Sequence, residues 1–388
     1  MARIYLDHAA TTQLRPEAAQ AWLEAGQHVG NASSLHTSGR SARRTVEQAR
    51  ESIAEDLGVR PSAVIFTGGG TESDNLAIKG IFWARSTQGG PRRIVTSAIE
   101  HHAVLDPVLW LQEHESAPVT FLEVDDRGVV SLDQLRTVLE QGDVALVSIM
   151  WANNEIGTIQ PVQEISRLCQ EFHVPFHTDA VQACGQIELD LSNLGATAVT
   201  LSSHKIGGPV GVGALIIDPH QKVTPVLHGG GQEREIRSGT LDPASIAAFA
   251  AASRLATSQA HAHAEEMRDL QSYLIAGVQS IVPQAILNGP QPGPSRLPNN
   301  IHFSFPGCEG DSLLMLLDAA GIDCSTGSAC TAGIPEPSHV LLAMGVDEKT
   351  ARASLRFSLG RGSTTADIDQ LIDALPVVVE RAIRAGSV

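Results

Sequence analysis

From about residue 60 the chain alternates short apolar runs with amphipathic stretches, and this alternation restricts the possible architectures more than any other feature. VIFTG leads into TESDNLAIKGIFWARS, RRIVTSA into HHAVLDPVLWLQEH and VALVSIM into PVQEISRLCQEF, while VPFHTDA is followed by a further apolar run, ATAVTLSS. Runs that are apolar on both faces suit strands covered by helices on either side. The expected fold is therefore α/β, a mostly parallel sheet flanked by helices with function at its strand ends. Residues 243–280 read as a long Ala-rich helical pattern that the cluster NGPQPGPSRLPNN ends. Beyond it a strand (NIHFSF), a helix (GDSLLMLLDAAG), a small-residue loop (CSTGSACTAG), a strand (ASLRFSL) and a terminal helix describe a smaller α+β domain. A chain of 388 residues exceeds one comfortable core. We expect an N-terminal segment, 1–14, packing with the small domain, a large domain over 15–260 and a small C-terminal domain over 261–388 that carries the cysteine loop.

Charge narrows the function classes. With 43 acidic against 27 basic residues and a formal net charge of −16, the chain lacks the basic balance of a phosphate-backbone binder, so no direct nucleic-acid partner is expected. No run of about twenty apolar residues and no signal-like N-terminus occurs, which predicts a cytoplasmic protein without a membrane partner. Five cysteines, an odd number without a CxxC pair, argue against a disulfide framework or a structural zinc site, and no intrinsic metal is expected.

Two stretches carry the chemistry, SSHKIGGPVG at 202–211 and HTDAVQACG at 177–185. Lys205 follows an apolar strand, where burial lets an amine lose its charge and become nucleophilic. Asp179 ends another apolar strand, where a carboxylate needs a cation or several donors, a helix N-cap being the plainer use. A lysine and a carboxylate so placed are what pyridoxal phosphate requires, one for its aldehyde and one for its ring nitrogen. Ser202 and His204 suit its phosphate, as do Gly70 and Thr71 of TGGGTESDN, where a strand turns into a helix N-terminus. Gln182 suits either donation to the ring hydroxyl or simple solvation. His101, after another strand, is placed to stack on the ring and move protons, whereas capping or solvent exposure suits His102.

Cys330 lies in a run of small and turn-forming residues, available as a nucleophile, while Cys169, Cys184 and Cys308 read as buried hydrophobes and Cys324 as a weaker candidate. Arg356, alternating with apolar neighbours, suits a carboxylate, with a surface salt bridge as the alternative. HGGG at 228–231 has no GxSxG serine to accompany it, which excludes a hydrolase of that type.

Taken together, YLDHAATT, GNASSLH, FTGGGTESDNLAIKG, EHHAVLD, WANNEIGTIQP, HTDAVQACG, SSHKIGGPVGVGAL, HGGGQEREIRSGT, STGSACTAG and RFSLGR resemble the group I cysteine desulfurases of the NifS and IscS kind, over nearly the whole chain. Gly68–Gly70 stands where that family usually has Ser-Gly-Ala. The resemblance implies a fold-type I homodimer with a seven-stranded type of sheet. It implies pyridoxal 5′-phosphate on Lys205, with Asp179 at the pyridine nitrogen, Gln182 at the ring oxygen, His101 on the ring face, and Gly70, Thr71, Ser202 and His204 at the phosphate. Thr240 would reach that phosphate from the opposite subunit. Asn154 would sit by ring and substrate, Arg356 and Asn31 would bind the carboxylate of L-cysteine, and Cys330 would take the sulfur. The product sulfur would pass to an iron–sulfur scaffold or another acceptor, with a transient cluster ligated through Cys330 as a secondary role. Another class V enzyme, such as a selenocysteine lyase, would share Lys205 and Asp179 without needing Cys330. A non-enzymatic sulfur or metal carrier finds no ligand spacing to support it.

Overall fold

A computed structural model describes residues 3–326 and 336–385. The chain enters through β1 (Ile4–Tyr5) and builds two helices, α1 (Pro16–Gly26) and α2 (Thr37–Asp56). The α/β alternation then gives β2 (Val64–Thr67), α3 (Gly70–Arg85), β3 (Arg93–Ser97), α4 (His102–Glu115), β4 (Val119–Leu122), α5 (Leu132–Leu139), β5 (Val144–Ser148), α6 (Val162–Glu171), β6 (Phe176–Asp179), β7 (Ala198–Ser202) and β8 (Gly213–Ile217). These seven strands form one sheet in the order β2-β8-β7-β6-β5-β3-β4. All neighbours are parallel except β8, which runs antiparallel between β2 and β7.

Strand alternation feeds two cores. Val64, Phe66, Val147 and Ile216 join α2, α6 and the later Ala-rich helix on one face, and Ile65, Leu146, Leu215 and Ile217 join α3 and α4 on the other. Each strand is therefore apolar on both sides, as a sheet sandwiched by helices demands.

The helical stretch 243–280 is two helices, α7 (Pro243–Ser258) and α8 (Ala260–Ile281), separated at Gln259. Asp242 starts α7, its carboxylate accepting from the N–H groups of Ala244 and Ser245 with Pro243 in the first turn. The remaining elements are β9 (Ile286–Leu287), β10 (Asn300–Ser304), α9 (Gly310–Ala319), β11 (Ile322–Asp323), α10 (His339–Ala343), α11 (Glu348–Arg352), β12 (Ser354–Ser358) and α12 (Thr365–Ala385). β12, β10 and β9 form an antiparallel sheet, which packs with α8, α9 and α12 around Phe303, Phe357, Leu274 and Leu371. β1 pairs in parallel with β11, so the beginning of the chain completes a layer made by its end. No described helix is long and apolar enough to cross a membrane.

Candidate active site

The carboxyl ends of β2, β6 and β7 and the turns after β3 and β5 open onto a cavity of about 520 Å3. It is lined by Lys205, Asp179, His101, Gln182, Asn154, Gly70, Thr71, Ser202 and His204. All nine of these residues singled out from the sequence meet there, which is where an open parallel sheet places its ligands.

Lys205 closes a tight turn after β7 (Ser203–Lys205), and its Nζ donates to the carbonyls of Ala9 (2.6 Å) and Ala10 (2.7 Å). Burial, and next the nearby Arg356 charge, lower its pKa to about 8, against the opposing pull of Asp179 and Asp7. A useful fraction of this amine is thus neutral near physiological pH.

Asp179 is 7% exposed and accepts from Val181 N–H at 2.8 Å. No helix follows it, so the N-cap alternative does not apply; the bond instead orders a turn. Burial raises its pKa, while the Val181 N–H and Lys205 favour the charged form. Beside it Asp74 is buried and also lines the cavity, its Oδ1 lying 3.5 Å from His177 Nε2. Burial, then the charge of Asp179, push Asp74 up well above the usual carboxylate range. One of two neighbouring carboxyls stays neutral so that the other can carry the charge.

His101 is the N-cap of α4, its Nδ1 accepting from Ala103 N–H at 3.1 Å, while its neighbour His102 faces solvent and pairs with Asp106 at 3.0 Å. Capping therefore belongs to His101 rather than to His102. Burial, with Lys205 next, lowers the His101 pKa to about 4, so the ring is neutral with its proton on Nε2. Glu100, fully buried beneath it, accepts from Ser97 Oγ (2.6 Å) and Met150 N–H (3.0 Å), and burial raises it to about 8.

At the opposite end, α3 begins at Gly70 behind Gly69, and no side chain caps its first turn. Its N–H groups open onto the cavity beside Thr71, Ser202 and His204, an arrangement ready for a phosphate. His204 is held through Nδ1 against Thr11 Oγ1 at 3.2 Å, and burial, then Lys205, lower it to about 4. An uncapped helix terminus, a buried carboxylate and a weakly basic lysine in one cavity fit the phosphate, ring nitrogen and aldehyde of pyridoxal phosphate.

A neighbouring cavity of about 660 Å3 shares Lys205, His101, Asn154 and Gln182 and adds Arg356, His339 and Ser325. Arg356, on β12, pairs with Asp7 at 2.7 Å and donates from Nη1 to the Asn154 carbonyl at 2.9 Å. The pair is a salt bridge, as the alternative held, but a buried one at the edge of this cavity rather than on the surface. Asn31 and Thr240 are exposed and line neither cavity of the single chain. Cys330 lies outside the described residues. Cys169, Cys184 and Cys308 are buried, and burial raises their thiols to about 12, 12 and 11, as inert packing residues require; Cys324, partly buried, is also raised to about 12.

Several contributors escaped the sequence reading. Asp74 and Glu100 lie in stretches read for their neighbours, TGGGTESDN and EHHAVLD, and the carbonyls of Ala9 and Ala10 have no side-chain signature; the motif YLDHAATT was the available signal for the latter. Asp7, in the same motif, orients Arg356.

The aminotransferase class-V family model matches residues 4–371. An IscS-like cysteine desulfurase of Mycobacterium tuberculosis is 56% identical over 384 residues, covering 98% of both chains. A cysteine desulfurase IscS of Dictyoglomus turgidum is 45% identical over 379 residues, 97% of this chain and 95% of that one. Among solved structures, a NifS-like protein superposes with a TM-score of 0.90 at 35% identity over 98% of this chain and all of its own. A NifS-like protein from Rickettsia africae does so at 0.87 and 33%, covering 97% and 99%.

Proposed function

This chain belongs to the class-V aminotransferase family and is a pyridoxal-phosphate-dependent cysteine desulfurase, and from that premise we propose how its residues divide the work. When bound, the cofactor supplies an aldehyde that captures amines and a ring that withdraws electrons from the substrate α-carbon. Lys205 Nζ would hold the cofactor and, once released by the substrate amine, take the α-proton. Asp179 would face the ring nitrogen and stabilise its positive charge. His101, neutral and carrying its proton on Nε2, would lie on the ring face, with Gln182 at the ring oxygen. Gly70, Thr71, Ser202 and His204 would hold the phosphate, joined by Thr240 of a second copy in a homodimer. Asn154, Arg356 and Asn31 would orient the carboxylate of L-cysteine.

The Cys330 thiolate would attack the substrate sulfur. An S–S bond forms as the C–S bond breaks, and the released electron pair returns to carbon, which is protonated to give alanine. The persulfide would then pass to an acceptor, such as an iron–sulfur scaffold, in the cytoplasm. We also infer the division 1–14, 15–260 and 261–388, supported by the separate cores around the large and small sheets.

The observation that carries this reading is a lysine of pKa about 8 sharing one cavity with the buried carboxylate of Asp179. Its test is Cys330→Ala, assayed with L-cysteine: the variant keeps the cofactor absorbance and loses alanine and sulfide production. Undiminished sulfide release would remove Cys330 from the mechanism, and transfer of the amino group to a keto acid would favour a different class V activity.

A further inference from the structure

A third cleft, open to solvent, shares only Lys205 with the two described above. Arg15, Arg361, His8 and His263 line it, and no carboxylate does. In a chain with 43 acidic and 27 basic residues, Arg15, Arg361 and Lys205 converging with two imidazoles and no acidic side chain run against the overall charge. Their polar atoms are only partly used. Arg15 donates from Nε to the Ile206 carbonyl (2.9 Å) and from Nη1 to Gln259 (3.1 Å), leaving Nη2 available. Arg361 is exposed and makes no hydrogen bond or ion pair among the described residues. His8 meets Thr12 Oγ1 at 2.8 Å and His263 meets Gln186 at 3.2 Å.

The four groups also feel one another. Burial lowers His8 to about 4, and His263 and Arg361 push it further down against the pull of Asp7. Burial lowers His263 too, and there Arg15 and Arg361 oppose the pull of Glu266. Gathering like charges in a half-buried cleft costs free energy unless an anion compensates. A zwitterionic amino acid would find no carboxylate for its ammonium group, whereas a compact dianion would meet two guanidinium forks.

We propose that this cavity binds a small oxyanion of the sulfate or hydrogen phosphate class between Arg15 and Arg361, at a site separate from that of the cofactor phosphate. The backbone N–H of Arg15 donates to the Gly207 carbonyl, two residues past Lys205, and Arg361 follows β12, which carries Arg356. The bound ion would fasten the N-terminal segment, the lysine turn and the C-terminal strand to one another.

The test titrates holoenzyme with sodium sulfate and, separately, sodium phosphate, with ionic strength held constant by sodium chloride, and follows the thermal midpoint and the calorimetric heat. A saturable rise is expected with one equivalent per chain, and the tighter-binding anion identifies the ligand. Arg361→Gln, at an exposed position that leaves packing intact, should weaken that anion by about tenfold, equivalent to about 1.4 kcal/mol. A rise that is linear rather than saturable, as general salting-out gives, or one of equal affinity in Arg361→Gln, would overturn the site.

Discussion

Lys205 is weakly basic for a lysine because burial strips water from its ammonium form and the Arg356 charge lies nearby. Its neutral fraction rises as pH passes through about 8, well before exposed lysines, which titrate near 10.4. In cofactor-free protein, the rate of Lys205 acylation by an amine-selective reagent should therefore follow an apparent pKa near 8; a midpoint near 10 would show that the burial argument is wrong. Lys205→Ala should abolish cysteine turnover, and retained turnover would remove its assigned role. The side chains legible in the sequence were those at strand ends followed by glycine or turn residues: Lys205, Asp179, His101 and the Gly70–Thr71 pair. Asp74 and Glu100 were not, because a buried carboxyl that stays protonated leaves no mark that distinguishes it from a solvated one.

At the scale of elements, the segment 228–240 is held to α2 and β2 by a buried ion pair. Arg50, on α2, meets Glu233 at 2.7 Å, and Glu233 also accepts from Phe66 N–H at 2.8 Å. The anchoring is needed because Arg234 and Glu235 sit at φ of 53° and 62°, which side-chain-bearing residues adopt only under constraint. Removing one partner of such a pair leaves a buried charge and costs about 3–5 kcal/mol. Glu233→Ala should thus lower the urea midpoint by that equivalent and, through the displaced Thr240, weaken cofactor retention; an unchanged midpoint would deny the anchor. At Gly213 on β8, an added Cβ would lie 2.7 Å from the Leu201 carbonyl oxygen and 2.8 Å from Gly69, so the strand and the turn before α3 touch backbone to backbone. The alternation of apolar and amphipathic runs foretold the parallel sheet but not the antiparallel course of β8, since GALII has the same pattern in either direction. Nor did it show the break at Gln259, across which the helical composition continues.

For the molecule as a whole, opposed titrations set the pH range of the fold. His177 and His302 are fully buried, and burial holds both near 3. The unfolded chain takes up their protons below about 6.5, so stability falls as pH drops through that value, by at most about 1.4 kcal/mol per pH unit for each. Glu100 acts the other way: its folded pKa of about 8 lies above the unfolded 4.5, so its contribution is full below 4.5 and is lost as pH rises to 8. Cofactor-free protein should be most stable near pH 6.5 in urea titrations, and Glu100→Gln should flatten the alkaline limb. A limb as steep in the variant as in the parent would place its origin elsewhere. The pairing of β1 with β11, and of the Leu6 carbonyl with Ser358 N–H, has a last consequence. Ala9 and Ala10, which receive the lysine amine, are set in place by residues made more than three hundred positions later. A nascent chain still emerging from the ribosome thus lacks the partners that fix this lysine cradle until residue 358 has been made.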